Sequence, residues 1–224
     1  MEPLGNWILH RACVQAQAWQ SIDPINPFTI AVNLSARSLL DSSLPEEVQA
    51  ALTKWNLPPG LLVLEITETM IMTDPIRARL VLNELAGMGV ILSIDDFGTG
   101  YSSLAYLRDL PVHELKIDRS FVQDMVHNTH NAAIVQLVID LAHNLGLQTI
   151  AEGVEDESTW EALDALGCDN AQGYHLARPM PADRLAAWTS EHAHRTAEMV
   201  DCRGRERDGN CAVAADLAEV APQS

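Results

Sequence analysis

Short apolar runs that end on a polar residue alternate, along most of this chain, with segments of helical period. Phe28-Thr29-Ile30-Ala31-Val32 predicts a strand ending at Asn33, and Leu61 to Leu64 a buried strand ending at Glu65. Val90 to Ile94 predicts a strand ending at Asp95. Glu114 to Ile117 carries Lys116 and leads to Asp118, Leu147 to Ala151 ends at Glu152, and the short run Asp169 to Gly173 carries Gln172. Helices are predicted between them. The first covers residues 6–20. The second opens at Ser43, three residues before Glu46 in a capping-box spacing, and runs to about Trp55. A third starts at the cap Asp74-Pro75 and runs to Gly87 or Gly89. A short helix begins at Leu104 and stops before Pro111. Ile134, Leu137, Val138, Leu141 and Leu145 mark an amphipathic helix ended by Gly146, and further helices cover 157–166 and 182–188.

Strands alternating with helices predict parallel β-α-β units and an α/β fold. The polar strand-end positions 33, 65, 95, 116, 152 and 172 are spaced 20 to 36 residues apart, each interval compatible with one β/α unit. Six strand ends that each deliver a polar group fit a TIM-like (β/α)₈ barrel, whose active site lies at the C-terminal ends of its strands. An open doubly wound sheet would concentrate such groups near one switch point. No GxGxxG or Walker loop is present. The densest chemistry lies in Ser93-Ile94-Asp95-Asp96-Phe97-Gly98-Thr99-Gly100-Tyr101. Side chains alternate between faces along a strand, so the adjacent Asp95 and Asp96 can share one region only where the strand is ending. Hard carboxylate oxygens suit Mg²⁺ or Mn²⁺.

Charge narrows the choice of ligand. The 224 residues include 31 acidic and 14 basic ones, for a formal net charge of −17. Such a field repels a DNA or RNA backbone and an anionic membrane surface, so a phosphate substrate needs metal ions or a local basic group. The four cysteines have no CxxC spacing, which predicts reduced thiols in the cytoplasm. The first residues lack a signal-peptide pattern, and no stretch approaches the roughly 20 apolar residues of a membrane span. Residues 191–224 are polar and turn-rich around Arg203 to Asn210. They predict a largely disordered tail with one weak helix at 212–219, leaving 1–190 as the folded domain.

Several words of the sequence, taken in order, resemble the EAL-type cyclic di-GMP phosphodiesterase family. They are Val32-Asn33-Leu34-Ser35-Ala36-Arg37, Leu64-Glu65-Ile66-Thr67-Glu68, Asp95 to Leu104, Leu115-Lys116-Ile117-Asp118-Arg119-Ser120-Phe121, Ala151-Glu152-Gly153-Val154-Glu155 and Gln172-Gly173-Tyr174. The resemblance implies hydrolysis of cyclic di-GMP to linear pGpG with two Mg²⁺ or Mn²⁺ ions. It implies Asn33, Glu65, Asp95 and Asp96 as metal ligands, and Lys116 and Glu152 as catalytic residues, Glu152 in the second metal's shell. Gln172 would hold water or substrate. Glu68, Asp118, Glu155, Gly98 and Gly100 would be supporting residues, although Glu68, Asp118 and Glu155 equally suit plain helix-start roles. A homodimer through the 96–107 loop region is also implied. Family members begin with two further strands, the second carrying the signature Glu-Ala-Leu. The single such tripeptide here, Glu161-Ala162-Leu163, lies inside a predicted helix. The matching region therefore corresponds to six of eight strands, and an inactive nucleotide-binding or protein-interaction module is the alternative.

Overall fold

The structure is a computed structural model that describes residues 4–99 and 104–192. The expected helix at 212–219 and Gly100 lie outside the described residues. Helix α1 (Leu4–Trp19) leads into β1 (Ile30–Asn33), α2 (Ala36–Leu39) and α3 (Leu44–Trp55). Strand β2 (Leu62–Thr67) is followed by α4 (Glu68–Thr73) and α5 (Pro75–Gly87), and β3 (Ile91–Phe97) by α6 (Leu104–Arg108). Next come β4 (Glu114–Ile117), α7 (Arg119–Val122), α8 (Thr129–Asn144), β5 (Gln148–Glu152), α9 (Glu157–Leu166) and β6 (Asn170–Gln172). Residues 185–192 are helical, two residues past the expected start of the tail.

The six strands form one parallel sheet in the order β1-β2-β3-β4-β5-β6. An order that never reverses is the winding of a curled half-barrel, as expected for a (β/α) barrel, and not that of a doubly wound sheet. The two faces of the strands differ in chemistry. Ile30, Val32, Leu62, Leu64, Leu92 and Leu115 join the helices in one continuous apolar core. Val63 and Ile150 are also buried, yet stand outside that core cluster. They lie on the other face, which two-residue alternation shares with Glu65, Ser93, Glu114, Lys116 and Glu152. The inner face is thus where buried polar groups gather.

Local chemistry sets most element ends. Asp74 Oδ1 accepts the Arg77 N–H at 3.1 Å, with Pro75 at the first helical position of α5. Gly167 ends α9 in the left-handed conformation at φ 81°. Three expectations are corrected. The Ser43–Glu46 capping box does not form. Ser43 has helical φ −83° and ψ −13° where a capping side chain needs extended backbone, and its hydroxyl faces Asp41 and Glu47. Strand β2 does not end at Glu65 but runs on to Thr67. Strand β3 does not end at Asp95 but runs on to Phe97.

Candidate active site

The extension of β3 is what brings two neighbouring aspartates to one place. Ile94 pairs with Leu115 and Phe97 with Ile117, so three steps along β3 match two along β4. This is a β-bulge, one extra residue in the strand. Asp96 accommodates it with a left-handed φ of 54°, a conformation that Asp tolerates better than most residues. The bulge returns Phe97 to the apolar core, where it is buried. It also lets Asp95 and Asp96 break strand alternation. Ligand-type oxygens of Asp95, Asp96 and Glu152 lie within 4.8 Å of one another. Three hard carboxylates at that spacing are a donor set that can hold a metal ion.

Lys116 occupies the centre of this group. Its Nζ lies 2.7 Å from Glu152 Oε1, 2.8 Å from Glu65 Oε1 and 3.1 Å from Asp95 Oδ1. The four side chains come from β2, β3, β4 and β5, at or near the C-terminal end of each strand. Lys116 is only 4% exposed. Burial works against its ammonium, but the charges of Glu65, Glu152 and Asp95 outweigh that and raise its pKa. The carboxylates outnumber the cation. Burial, and then the charges of Asp95 and Asp118, hold Asp96 above the usual carboxylate range. Burial likewise raises Glu152, against the opposing effect of Lys116.

The remaining sequence candidates fall around this cluster. Asn33 pairs in register with Glu65 at the end of β1, and Gln172 with Glu152 at the end of β6. The Gln172 side-chain oxygen is buried and accepts no hydrogen bond. Glu68 is buried at the first residue of α4, apart from the metal-competent trio. Glu155 Oε1 accepts from Gln123 Nε2 at 2.9 Å. Asp118 caps α7, accepting from the Ser120 N–H at 3.0 Å and from its hydroxyl, and its charge helps to raise the Asp96 pKa. Gly98 has φ 97°, and a Cβ there would lie 3.0 Å from Phe121 Cε2. Glu114 was not among the candidates. It is buried one inward step before Lys116, and that burial raises its pKa. The signal was available: Glu114 and Lys116 differ by two in sequence, so they share a face. Outside the site, a groove of about 580 Å³ between α3 and α5, lined by Gln49, Thr53, Glu84 and Met88 among others, shares no residue with the cluster.

Parallel strands in sequential order, converging a lysine and several carboxylates near their C-terminal ends, define a barrel-type α/β protein with an acidic centre suited to a metal. The chain belongs to the EAL domain family, whose model matches residues 1–179. It is 46% identical over 184 residues to the bifunctional diguanylate cyclase/cyclic di-GMP phosphodiesterase MucR of Pseudomonas aeruginosa, covering 82% of this chain and 27% of that protein. It is 40% identical over 188 residues to the signaling protein YkoW of Bacillus subtilis, covering 84% of this chain and 23% of that one. The chain thus spans about a quarter of the length of these relatives. Among solved structures, the PaMucR phosphodiesterase in complex with c-di-GMP superposes with a TM-score of 0.77, covering 81% of this chain and 73% of that one. The EAL domain of Mycobacterium smegmatis DcpA, 38% identical, superposes with a TM-score of 0.79 over 84% and 85%. Among the described residues, no helix is long and apolar enough to cross a membrane.

Proposed function

We propose that this chain provides the catalytic face of a metal-dependent phosphodiesterase that hydrolyses one phosphodiester bond of cyclic di-GMP to give linear pGpG. The observation that carries the reading is the convergence of Glu65, Asp95 and Glu152 on Lys116, with Asp96 swung alongside by the bulge. The donor set fits Mg²⁺ or Mn²⁺, because it offers only hard oxygens and no thiolate or imidazole. Asp95, Asp96 and Glu152 would hold one ion, and Asp95 with Glu65 and Asn33 a second. When bound, such ions lower the pKa of water and stabilise charge building on the phosphate. The chain's own residues do the rest. Lys116 keeps three carboxylates turned toward one point and places a positive charge beside a dianionic substrate. Gln172 offers an unpaired buried acceptor for water or a substrate N–H. Cyclic di-GMP as ligand draws support from the 46% identical PaMucR phosphodiesterase, solved in complex with c-di-GMP. A homodimer through the 96–107 segment belongs to the same reading.

The test is conversion of cyclic di-GMP to pGpG by the purified chain with Mg²⁺ or Mn²⁺, followed chromatographically. Turnover is expected, lost on chelation and reduced at least about 100-fold by Asp95→Asn, which leaves the fold but weakens the metal donors. Cyclic di-GMP binding without turnover under any divalent ion would favour a nucleotide-binding module instead. Absence of both binding and turnover would overturn the reading.

A further inference from the structure

Helix α7 has no place in the chemistry described so far, yet it packs against the segments that follow both Asp96 and Glu152. On one side it meets the bulge. The ring of Phe121 fills the space that a side chain at residue 98 would take, 3.0 Å from an ideal Cβ there. Past the bulge, Thr99 turns back to donate both its N–H and its hydroxyl to Asp96 O. On the other side α7 meets the residues after Glu152. A Cβ on Gly153, whose φ is 73°, would lie 2.6 Å from Arg119 Cβ and 3.4 Å from Gln123 Cγ. Gln123 then bonds Glu155 at 2.9 Å. One short helix is therefore wedged between the segment that carries Asp95 and Asp96 and the segment that follows Glu152. Glycine is required at both contacts, since each combines positive φ with close approach.

We infer that Phe121 is a positioning residue for the metal site: its ring, seated against Gly98, holds the β3 bulge so that Asp95 and Asp96 face Glu152 together. The inference rests on the proposed metal site and adds a residue that touches neither metal nor substrate. Asp96 has backbone strain from its left-handed φ, and a bulge leaves one residue unpaired in the ladder. Such a conformation persists only where its surroundings hold it. Phe121 supplies a rigid ring with few rotamers directly beneath the turn. Without it, the strand can relax toward regular alternation, which turns Asp96 away from Asp95.

The experiment measures Mn²⁺ binding to the full 224-residue chain by titration calorimetry, with no substrate present. Phe121→Ala is expected to weaken Mn²⁺ about tenfold. Phe121→Leu, which refills much of the space, should stay within about threefold of the unsubstituted chain by the same reasoning. Val48→Ala, in the buried face of α3, is the control for general destabilisation, since thermal unfolding should drop for it and for Phe121→Ala alike. Gly98→Ala supplies a second variant that presses on the ring from the other side, and it should weaken Mn²⁺ in the same direction. If Phe121→Ala loses stability but binds Mn²⁺ no worse than Val48→Ala, Phe121 is packing alone and the inference is overturned. If Phe121→Ala does not fold, Gly98→Ala decides: unchanged affinity in it overturns the inference. Absence of Mn²⁺ binding by the unsubstituted chain would remove the metal site itself at the first titration, before any variant is compared.

Discussion

At Lys116 a single buried ammonium answers Glu65, Asp95 and Glu152, all within 3.1 Å. Removing one member of a buried charge group costs more than the group contributes as a whole, because the others stay desolvated and unmatched. Lys116→Met is therefore expected to destabilise the chain by about 3–5 kcal/mol without divalent ions. Mn²⁺ should recover part of that loss, since it brings positive charge to the same oxygens. Urea unfolding with and without Mn²⁺ checks this, and a variant as stable as the parent in chelator would sink it. The sequence placed Lys116 on a strand and, by alternation, on the inner face. It could not show which carboxylates the amine would meet, because that depends on register across four strands. Asp96 was visible as a candidate for the wrong reason: the strand was expected to end before it. The sign of φ at Asp96 leaves no mark in an Asp-Asp-Phe-Gly run that a period-2 reading can detect. The bulge shows in the β3–β4 register and in the return of Phe97 to the core.

At the scale of elements, most strands and long helices could be read from apolar period and from Asp-Pro or Gly stops. The short helices α2, α4 and α7 could not, since about one turn is too little for a period to register. The clasp joining α8, β5 and β6 was equally hidden, because its members are far apart in sequence. Asp169 Oδ2 receives the Thr149 N–H at 2.9 Å and the Thr149 hydroxyl at 2.8 Å, and lies 2.8 Å from His143 Nε2. Burial works to raise the Asp169 pKa, but the bonds to His143 and Thr149 outweigh it and hold it below the ordinary aspartate value. A depressed folded-state pKa contributes stability that is present above the unfolded value and lost as pH falls through the folded one. Asp169→Asn should thus cost about 1–2 kcal/mol near neutral pH, toward the low end because the carboxylate is partly solvated. The gap to the parent should begin to narrow below about pH 4 and shrink further as Asp169 protonates in the folded chain. Denaturant melts at pH 7 and pH 3 measure it, and an equal gap at both would show that the charge is not what matters.

For the whole molecule, the described sheet has six strands and free edges at β1 and β6, whereas a closed barrel has none. Both edges bear on the site, since β1 ends at Asn33 beside Glu65 and β6 at Gln172 beside Glu152. A free edge leaves backbone N–H and C=O groups unpaired and opens one wall of the inner face to water. Water in that wall weakens every electrostatic interaction at the cluster and loosens substrate geometry, on which attack depends steeply. The PaMucR structure extends beyond the matched region, as this chain covers 73% of it. The family resemblance implies two further strands ahead of β1, and fusing such a pair ahead of Met1 is therefore expected to raise turnover of cyclic di-GMP at least about tenfold. A gain of that size is about 1.4 kcal/mol of transition-state stabilisation, modest for restored alignment and exclusion of water. The assay compares pGpG formation by the 224-residue chain, by the fusion, and by the fusion carrying Asp95→Asn. Equal turnover by the first two would show that six strands suffice to shape the site. A gain that survives Asp95→Asn would show that it does not pass through the carboxylate cluster. The expected order is fusion, then chain, then substituted fusion, because the added strands complete a wall but supply none of the groups gathered around Lys116.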